Sequence, residues 1–353
     1  MTERPNQLAF QCPIPIQEYP AILLAHGGGG RLTQMLIERM FLPAFHNPAL
    51  EALHDGAVLE VEGLRLAFTT DSFVVSPLFF PGGDIGELAV NGTINDLAMC
   101  GAHPLYLSLG LILEEGFPME DLWRVVCSIQ EATQEAGVEV ATGDTKVVDR
   151  GKGDGVFINT TGLGLIPPGI HVSPQRVRPG DVVLISGAIG VHGIAILSVR
   201  EGLAFETTLE SDTAALNGLV EVLLEVVGPE VHVLRDPTRG GVASALNEIA
   251  SSAGVGIALE EARIPVWDEV KGACEILGLD PLYVANEGKC LAIVAPEAAE
   301  AALEALRSHP LGREAAIIGQ VVEAHPGSVI LRSRVGGKRV VDMLSGEQLP
   351  RIC

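Results

Sequence analysis

Five aspartates stand beside small residues or at the ends of apolar runs: Asp55 in HDGAVL, Asp71 in FTTDSF, Asp96 in INDLAMCGA, Asp144 in TGDTKV and Asp236 in LRDPTRGG. Carboxylates in such uncharged surroundings are costly to bury together unless cations neutralise them. Magnesium meets that need, taking one or two carboxylates and completing its shell with phosphate oxygens, so the set predicts a Mg2+–phosphate site. Taken singly, each aspartate also fits a helix cap or a turn. Lys146 follows Asp144 by two residues, which on a strand places both on one face, able to meet the same phosphate or each other in a surface ion pair. Glu287, in NEGKC, stands beside a glycine with a lysine next to it. The run HGGGGR, from His26 through Gly27, Gly28, Gly29 and Gly30 to Arg31, removes every Cβ obstruction and lets backbone N–H groups approach a phosphate; a plain mobile loop is the alternative. Neither G-x-x-x-x-G-K-[ST] nor G-x-G-x-x-G after a strand occurs. His54, His103, His171, His192 and His232 show no ligand spacing and read as structural or solvated.

The six cysteines, at 12, 100, 127, 274, 290 and 353, form no zinc or redox spacing and no secreted-type framework, which fits a reduced cytoplasm. The last of them ends the chain, in LPRIC, a few residues beyond the last predicted strand.

The elements that must position these groups are legible from periodicity. AVLEVEGLRLAFTTDS alternates as paired strands, and IGELAVNGTINDLAMCGA, carrying Asn95 and Asp96, reads as a helix with small residues on a packed face. A strand in PLYLSLGLILEE, a helix in MEDLWRVVCSIQEATQEAG closed by its glycine, and a strand in FINTTGLGLI follow. PPGIHVSPQRVRPGD, Pro167 to Asp181, breaks regular patterning and marks a domain boundary. A second α/β run begins at VVLISG and includes helices in RGGVASALNEIASSAG and PEAAEAALEALRSH and strands in CLAIVA, AAIIGQVV and KRVVDML. The uncharged stretch Val182–Val199 has nearly the length of a short membrane span, but its glycines and His192 divide it into strand, turn and helix. The expected fold class is therefore α/β (α+β) with two domains: a lead-in over 1–44, a first domain over 45–168, a second over 180–337, and a strand and mobile tail over 338–353.

Composition bounds the function. Of 353 residues, 47% are hydrophobic and 19% charged, and 23 bases against 45 acids give a net charge of −22. That supplies ample core for two domains and repels nucleic acid and anionic lipid, so a polyanionic ligand must be bridged by metal or local backbone donors. The amino end, with acids, prolines and only the short apolar run AILLA, does not read as a signal peptide.

In their order along the chain, TTDSFVVSPLFFPGGDIGELAVNGTINDLAMCGA, GDTKVV, SGAIGVHGIAILSVREG, DPTRGGVASALNEIA and the terminal PRIC resemble the HypE family of hydrogenase maturation proteins, within the superfamily of aminoimidazole ribonucleotide synthetase (PurM) and selenophosphate synthetase. The resemblance runs from HGGGGR to the last residue; where relatives often carry a second acid before the one matched by Asp55, this chain has His54. It implies a PurM-like architecture, whose first, mixed-sheet domain mediates a homodimer, and an ATP-dependent dehydration on the protein's own tail. The thiol of Cys353 would receive a carbamoyl group from the carbamoyltransferase HypF; ATP would phosphorylate the amide oxygen, and loss of phosphate would leave a thiocyanate. The HypC–HypD complex would then take the cyanide to the iron of a [NiFe]-hydrogenase. In those terms Asp55, Asp71, Asp96, Asp144 and Asp236 hold Mg2+; His26, Gly27–Gly30, Asn95, Asp96, Asp144 and Lys146 hold ATP; Lys146 offsets phosphoryl charge; and Glu287 takes the amide protons. Two alternatives stay open: a synthetase of the same superfamily acting on a free small amide or amine, and a non-catalytic scaffold that presents a thiol. Selenophosphate synthesis is disfavoured, because only the isolated Cys12 lies near the amino end.

Overall fold

The computed structural model describes residues 19, 21–202, 209–346 and 351–353; Cys12 and most of the 1–44 lead-in before the glycine run lie outside them. Among the described residues, fourteen strands form three sheets: β1 (Ala57–Val61), β2 (Leu64–Phe73), β3 (Phe79–Phe80), β4 (Gly83–Asp84), β5 (His103–Glu114), β6 (Glu139–Val148), β7 (Val156–Leu165), β8 (Val182–Ile185), β9 (Val231–Arg235), β10 (Gly256–Glu260), β11 (Leu291–Val294), β12 (Ala316–Val322), β13 (Val329–Arg332) and β14 (Lys338–Val341). The first sheet runs β1-β2-β7-β5-β6, the second β14-β13-β10-β12-β8-β11-β9, and β3-β4 make a two-residue hairpin. Each large sheet is mixed, with one parallel pair, β5–β6 and β10–β13 respectively.

The helix Ile85–Met99 joins the two halves. Asp84 caps it, its Oδ1 accepting from the N–H groups of Gly86 at 2.7 Å and Glu87 at 3.2 Å. Glycines let it lie close to its neighbours: a Cβ on Gly86 would meet the Val125 carbonyl at 2.5 Å, and one on Gly92 the Phe73 ring at 2.8 Å. It packs on β2 and β7, on the helix Met119–Ala136, and on the second half through the helix Asn217–Val227 and β9. Sheathed on all sides, it is buried nearly all round and shows no clean amphipathic stripe. The helix Met119–Ala136 is half-exposed, periodic, and closed by Gly137 at φ +71°.

The uncharged stretch Val182–Val199 folds as β8, a glycine turn and the helix Val191–Arg200. No helix among the described residues is long and apolar enough to cross a membrane.

The end of the chain departs from expectation. The mobile tail predicted from its few apolar residues is, in its last three residues, docked: Ile352 is 3% exposed and belongs to the core of the first domain. The backbone does what side chains were too few to do. Val74 N–H donates to the Cys353 carbonyl and Ser76 N–H to that of Arg351, both at 3.2 Å. Arg351 returns a bond from Nε to the Val74 carbonyl at 3.1 Å and pairs with Asp154.

Candidate functional site

A cleft of about 320 Å³ lies where the two halves meet, and four of the five predicted aspartates line it. Asp55 comes from the segment entering β1, Asp96 from the end of the buried helix Ile85–Met99, and Asp236 from the residue after β9. Each offers an oxygen within 4.8 Å of the others. Asp71, on β2, lines the same cleft, as do Glu287 and Cys353.

Burial governs the electrostatics. It raises the carboxyl of Asp55 well above the ordinary range, partly offset by Arg235. Burial, then the charges of Asp236 and Asp55, does the same to Asp96, and Asp236 is pushed up to about 6. Glu287 is raised by burial and by Asp236, Asp212 and Asp71. Two oxygens, Oδ2 of Asp55 and Oε1 of Glu287, are buried without a hydrogen-bond partner among the described residues. Such a cluster resists full ionisation without a cation, and its hard oxygen donors with room for phosphate are the ligands Mg2+ prefers. The residues present fit that ion.

Two arginines, outside the set of carboxylates, glycines and lysine expected at the site, supply resident positive charge. Arg235 Nε bonds Asp55 Oδ1 at 2.9 Å, and its Nη2 pairs with Glu248. Arg239 faces Asp71 at 3.9 Å and anchors the glycine run through the Gly27 carbonyl at 3.1 Å. Both stood in LRDPTRGG, where guanidinium groups flank the aspartate. His54 is held neutral, its pKa driven down to about 3 by burial and Arg235, while its Nδ1 accepts from Asp55 N–H at 2.8 Å.

The thiol of Cys353 is pushed far up, first by burial, with Arg239 opposing. Docked, it is no reactive thiolate.

Several expected ligands stand elsewhere. Asp144 and Lys146 share a face of β6, but they are exposed and bond each other, Nζ to Oδ2 at 2.7 Å. They do not line the cleft of their own chain. Asn95, expected against nucleotide, spends its amide on backbone: Nδ2 donates to the carbonyls of Ala214 at 3.0 Å and Glu287 at 3.2 Å, and Oδ1 accepts from Leu216 N–H at 2.8 Å. His26 is buried and accepts from Leu23 N–H at 2.9 Å, closing its own turn. Of the glycine run, Gly29 reaches the cleft. Its φ is +71°, and a Cβ there would strike Arg239 at 2.8 Å, so glycine is needed for this close approach. On Gly30 a Cβ would strike the Leu344 carbonyl at 2.3 Å, so part of the run serves packing.

The chain matches the models of two halves of one family: AIR synthase related protein, N-terminal domain, over residues 53–166, and AIR synthase related protein, C-terminal domain, over 178–332. A carbamoyl dehydratase HypE of Azotobacter vinelandii is 58% identical over 94% of this chain and 97% of its own length. A crystal structure of HypE in complex with ATP superposes with a TM-score of 0.80 at 52% identity, covering 94% of this chain and 100% of the other. One of the HypE–HypF complex reaches a TM-score of 0.84 at 50% identity, covering 88% and 99%. The carboxylate cleft, the PurM-like pair of mixed sheets and these matches agree: the chain belongs to the AIR synthase related family and, within it, to the HypE hydrogenase maturation proteins.

Proposed function

We propose that this protein is an ATP-dependent carbamoyl dehydratase of [NiFe]-hydrogenase maturation whose substrate is the S-carbamoyl group on its own Cys353. One observation carries the reading: the terminal thiol is docked in the acidic cleft, beside Glu287 and Arg239. The names and ligands of the matched HypE proteins support it.

The chemistry is balanced by the groups present. The amide oxygen of the carbamoyl group attacks the γ-phosphorus of ATP, ADP leaves, and one N–H proton goes to a base; the C–O bond then breaks, phosphate departs with its electron pair, and loss of the second N–H proton leaves Cys–S–C≡N. Glu287 is the base. Burial and the neighbouring carboxylates raise its carboxyl well above the ordinary range, so it holds a proton more tightly than a free glutamate once it has taken one, and Asn95 fixes its backbone carbonyl. Asp55, Asp96 and Asp236, with Asp71, would hold Mg2+, whose chemistry is to neutralise phosphate oxygens at the cleft. Gly29 brings the chain close to Arg239 there and gives its own N–H to Thr33 Oγ1 at 3.1 Å, so the guanidinium is the group that would meet the phosphates.

Asp144 and Lys146 enter through a second copy. The outward face of the first sheet is apolar: Phe68, Tyr106 and Ile112 are each more than 40% exposed. Lys146 lies in register with Ile112 on that face. Covering it in a homodimer buries the patch and takes Asp144 and Lys146 to the partner's cleft. The domains divide at 168–180, with 45–168 the dimerising half.

The tail alternates. Undocked, Cys353 meets HypF for carbamoylation and later HypC–HypD for cyanide delivery; docked, it is dehydrated. These are reactions of a reduced cytoplasm. A free-amide substrate or a mere scaffold leaves the docking of Cys353 against Glu287 without purpose. The test is mass spectrometry of the C-terminal peptide after incubation with the carbamoyltransferase, carbamoyl phosphate and ATP. A carbamoyl gain followed by loss of water is expected; an unmodified peptide under verified active conditions overturns the proposal.

A further inference from the structure

The docked tail is held from two sides. On one, the backbone N–H groups of Val74 and Ser76 donate to Cys353 and Arg351, and Arg200 Nη2 adds a bond to the Arg351 carbonyl at 2.8 Å. The intervening carbonyl, of Ile352, faces the other way and meets a side chain from the second domain: His192 Nε2, at 2.9 Å. His192 opens the helix Val191–Arg200 and is fully buried. Its other nitrogen, Nδ1, lies 2.8 Å from Ser211 Oγ. Thr213 N–H donates to that same Oγ at 3.1 Å, which leaves the serine proton free to go to Nδ1. The imidazole is thereby fixed as the tautomer that carries its proton on Nε2, the form that can donate to a carbonyl. The ring edge of Phe80 packs on the imidazole, centroids 5.7 Å apart and planes at 89°, and fixes its plane. A preset donor at this depth has one complement here, the carbonyl before the last residue of the docked tail.

The same short segment reaches the proposed base. Asp212, next to Ser211, accepts from Glu287 N–H at 3.1 Å and is itself neutralised by Lys289 at 3.2 Å. Ser211–Asp212 thus bonds, through successive side chains, the group that holds the tail and the residue that faces its thiol.

We propose that His192, oriented by Ser211, is a positioning residue that helps to hold the C-terminal tail docked, beside the Arg200 bond to Arg351, and so sets the fraction of time Cys353 spends beside Glu287. Its part in docking stands on geometry alone; its part in dehydration rests on the function proposed above.

Docking is read from the full-length protein by the rate at which iodoacetamide alkylates Cys353, followed peptide by peptide in a mass spectrometer. A docked thiol reacts only in proportion to its undocked fraction. His192→Phe, which keeps ring shape and removes the donor, is expected to raise that rate about tenfold, the order set by losing one buried hydrogen bond. His192→Gln, whose amide can donate, restores part of the protection, and Ser211→Ala gives a smaller rise. Cys100 and Cys290, both buried, report global opening and stay unlabelled. If His192→Phe opens the whole fold, labelling these two, Ser211→Ala decides: a rise confined to Cys353 supports the latch and no rise overturns it. Equal Cys353 rates in a folded His192→Phe and the unaltered protein also overturn it. With carbamoylated protein, single-turnover loss of water falls in His192→Phe and partly recovers in His192→Gln, whereas carbamoylation is not slowed. If labelling responds as expected but even the unaltered protein loses no water with ATP, the functional reading fails and the latch stands.

Discussion

The carboxylates of the cleft and the carboxylate of β6 carry the same charge in solution and have opposite surroundings in the fold. Asp55, Asp96 and Asp236 lie together in the cleft, the first two half-buried and the third buried, with raised pKa values and an oxygen of Asp55 left without a donor. Asp144 is exposed, and its pKa is lowered by hydrogen bonds from Lys146 and from the Thr145 N–H. The first group is a frustrated arrangement that a cation relieves; the second is already satisfied on its own surface. On the proposed reading, the difference separates what one chain completes alone from what a second copy would complete. It also predicts which substitutions alter stability and activity together and which alter activity alone.

The largest effect belongs to Glu287. Glu287→Gln keeps shape and removes the base, so single-turnover dehydration of carbamoylated protein should fall by about 10²–10⁴, the usual contribution of a positioned base. Carbamoylation of Cys353 by HypF should be untouched, because it occurs with the tail undocked. A fall in both steps would place Glu287 in the fold or the tail rather than in the chemistry.

Next is the buried cluster. Asp96→Asn removes one of three like charges and one ligand, so it should abolish the rise in melting temperature that Mg2+ gives the unaltered protein. It should also leave the metal-free chain as stable or more so, since a buried acid raised by its neighbours is a cost in the native state. Retention of the full Mg2+ shift would remove Asp96 from the ligand set.

Lys146→Ala tests the other half of the comparison. The exposed pair contributes about 0–1 kcal/mol, so melting should barely move while turnover falls. Mixing Lys146→Ala with Glu287→Gln chains then distinguishes own-chain from partner action. If Lys146 serves the neighbour's cleft, half the dimers in an equal mixture regain one of two clefts, and about a quarter of normal activity returns. No recovery on mixing, with exchange verified, would put Lys146 to work in its own chain or not at all.

Much of this was legible beforehand for definable reasons. Strands such as β2 and β7, covered on one face, alternate buried and exposed residues and so announce themselves. The helix Ile85–Met99 was readable from its small residues although its burial on all sides erases an amphipathic stripe. The convergence of Asp55, Asp96 and Asp236 was suggested by their uncharged surroundings, whereas Asn95 shares the sequence context of Asp96 and is consumed by backbone. What the sequence hid were partners distant along the chain. Counting apolar residues made the tail look free, because its docking uses backbone groups at 74–76 and a histidine 160 positions away. His192 itself was dismissed for lack of ligand spacing, a test suited to metal sites and blind to a lone donor buried against a carbonyl.

The smallest and most discriminating effect concerns pH. In the metal-free chain Asp236 keeps its proton up to about pH 6, whereas an unfolded aspartate sheds it near 3.8. Between those values the native state binds more protons than the unfolded one, so this group's contribution to stability falls as pH rises through the window and is flat above it. Asp55 and Asp96, also raised well above the ordinary range, change stability in the same sense. Glu87, raised to about 7 on the helix Ile85–Met99, declines in the same sense, and neutral-held His54 opposes it below its ordinary 6.5. Melting temperature against pH is therefore a sum of several groups, but the difference between curves with and without saturating Mg2+ isolates the cluster, because the ion must displace its protons to bind. That difference should be near zero at pH 5 and grow toward pH 8. In Asp144→Asn, whose carboxyl titrates on the surface, the same growth should persist wherever the ion is held by the buried three alone; a flattened curve would show that the exposed aspartate completes the site from across the dimer.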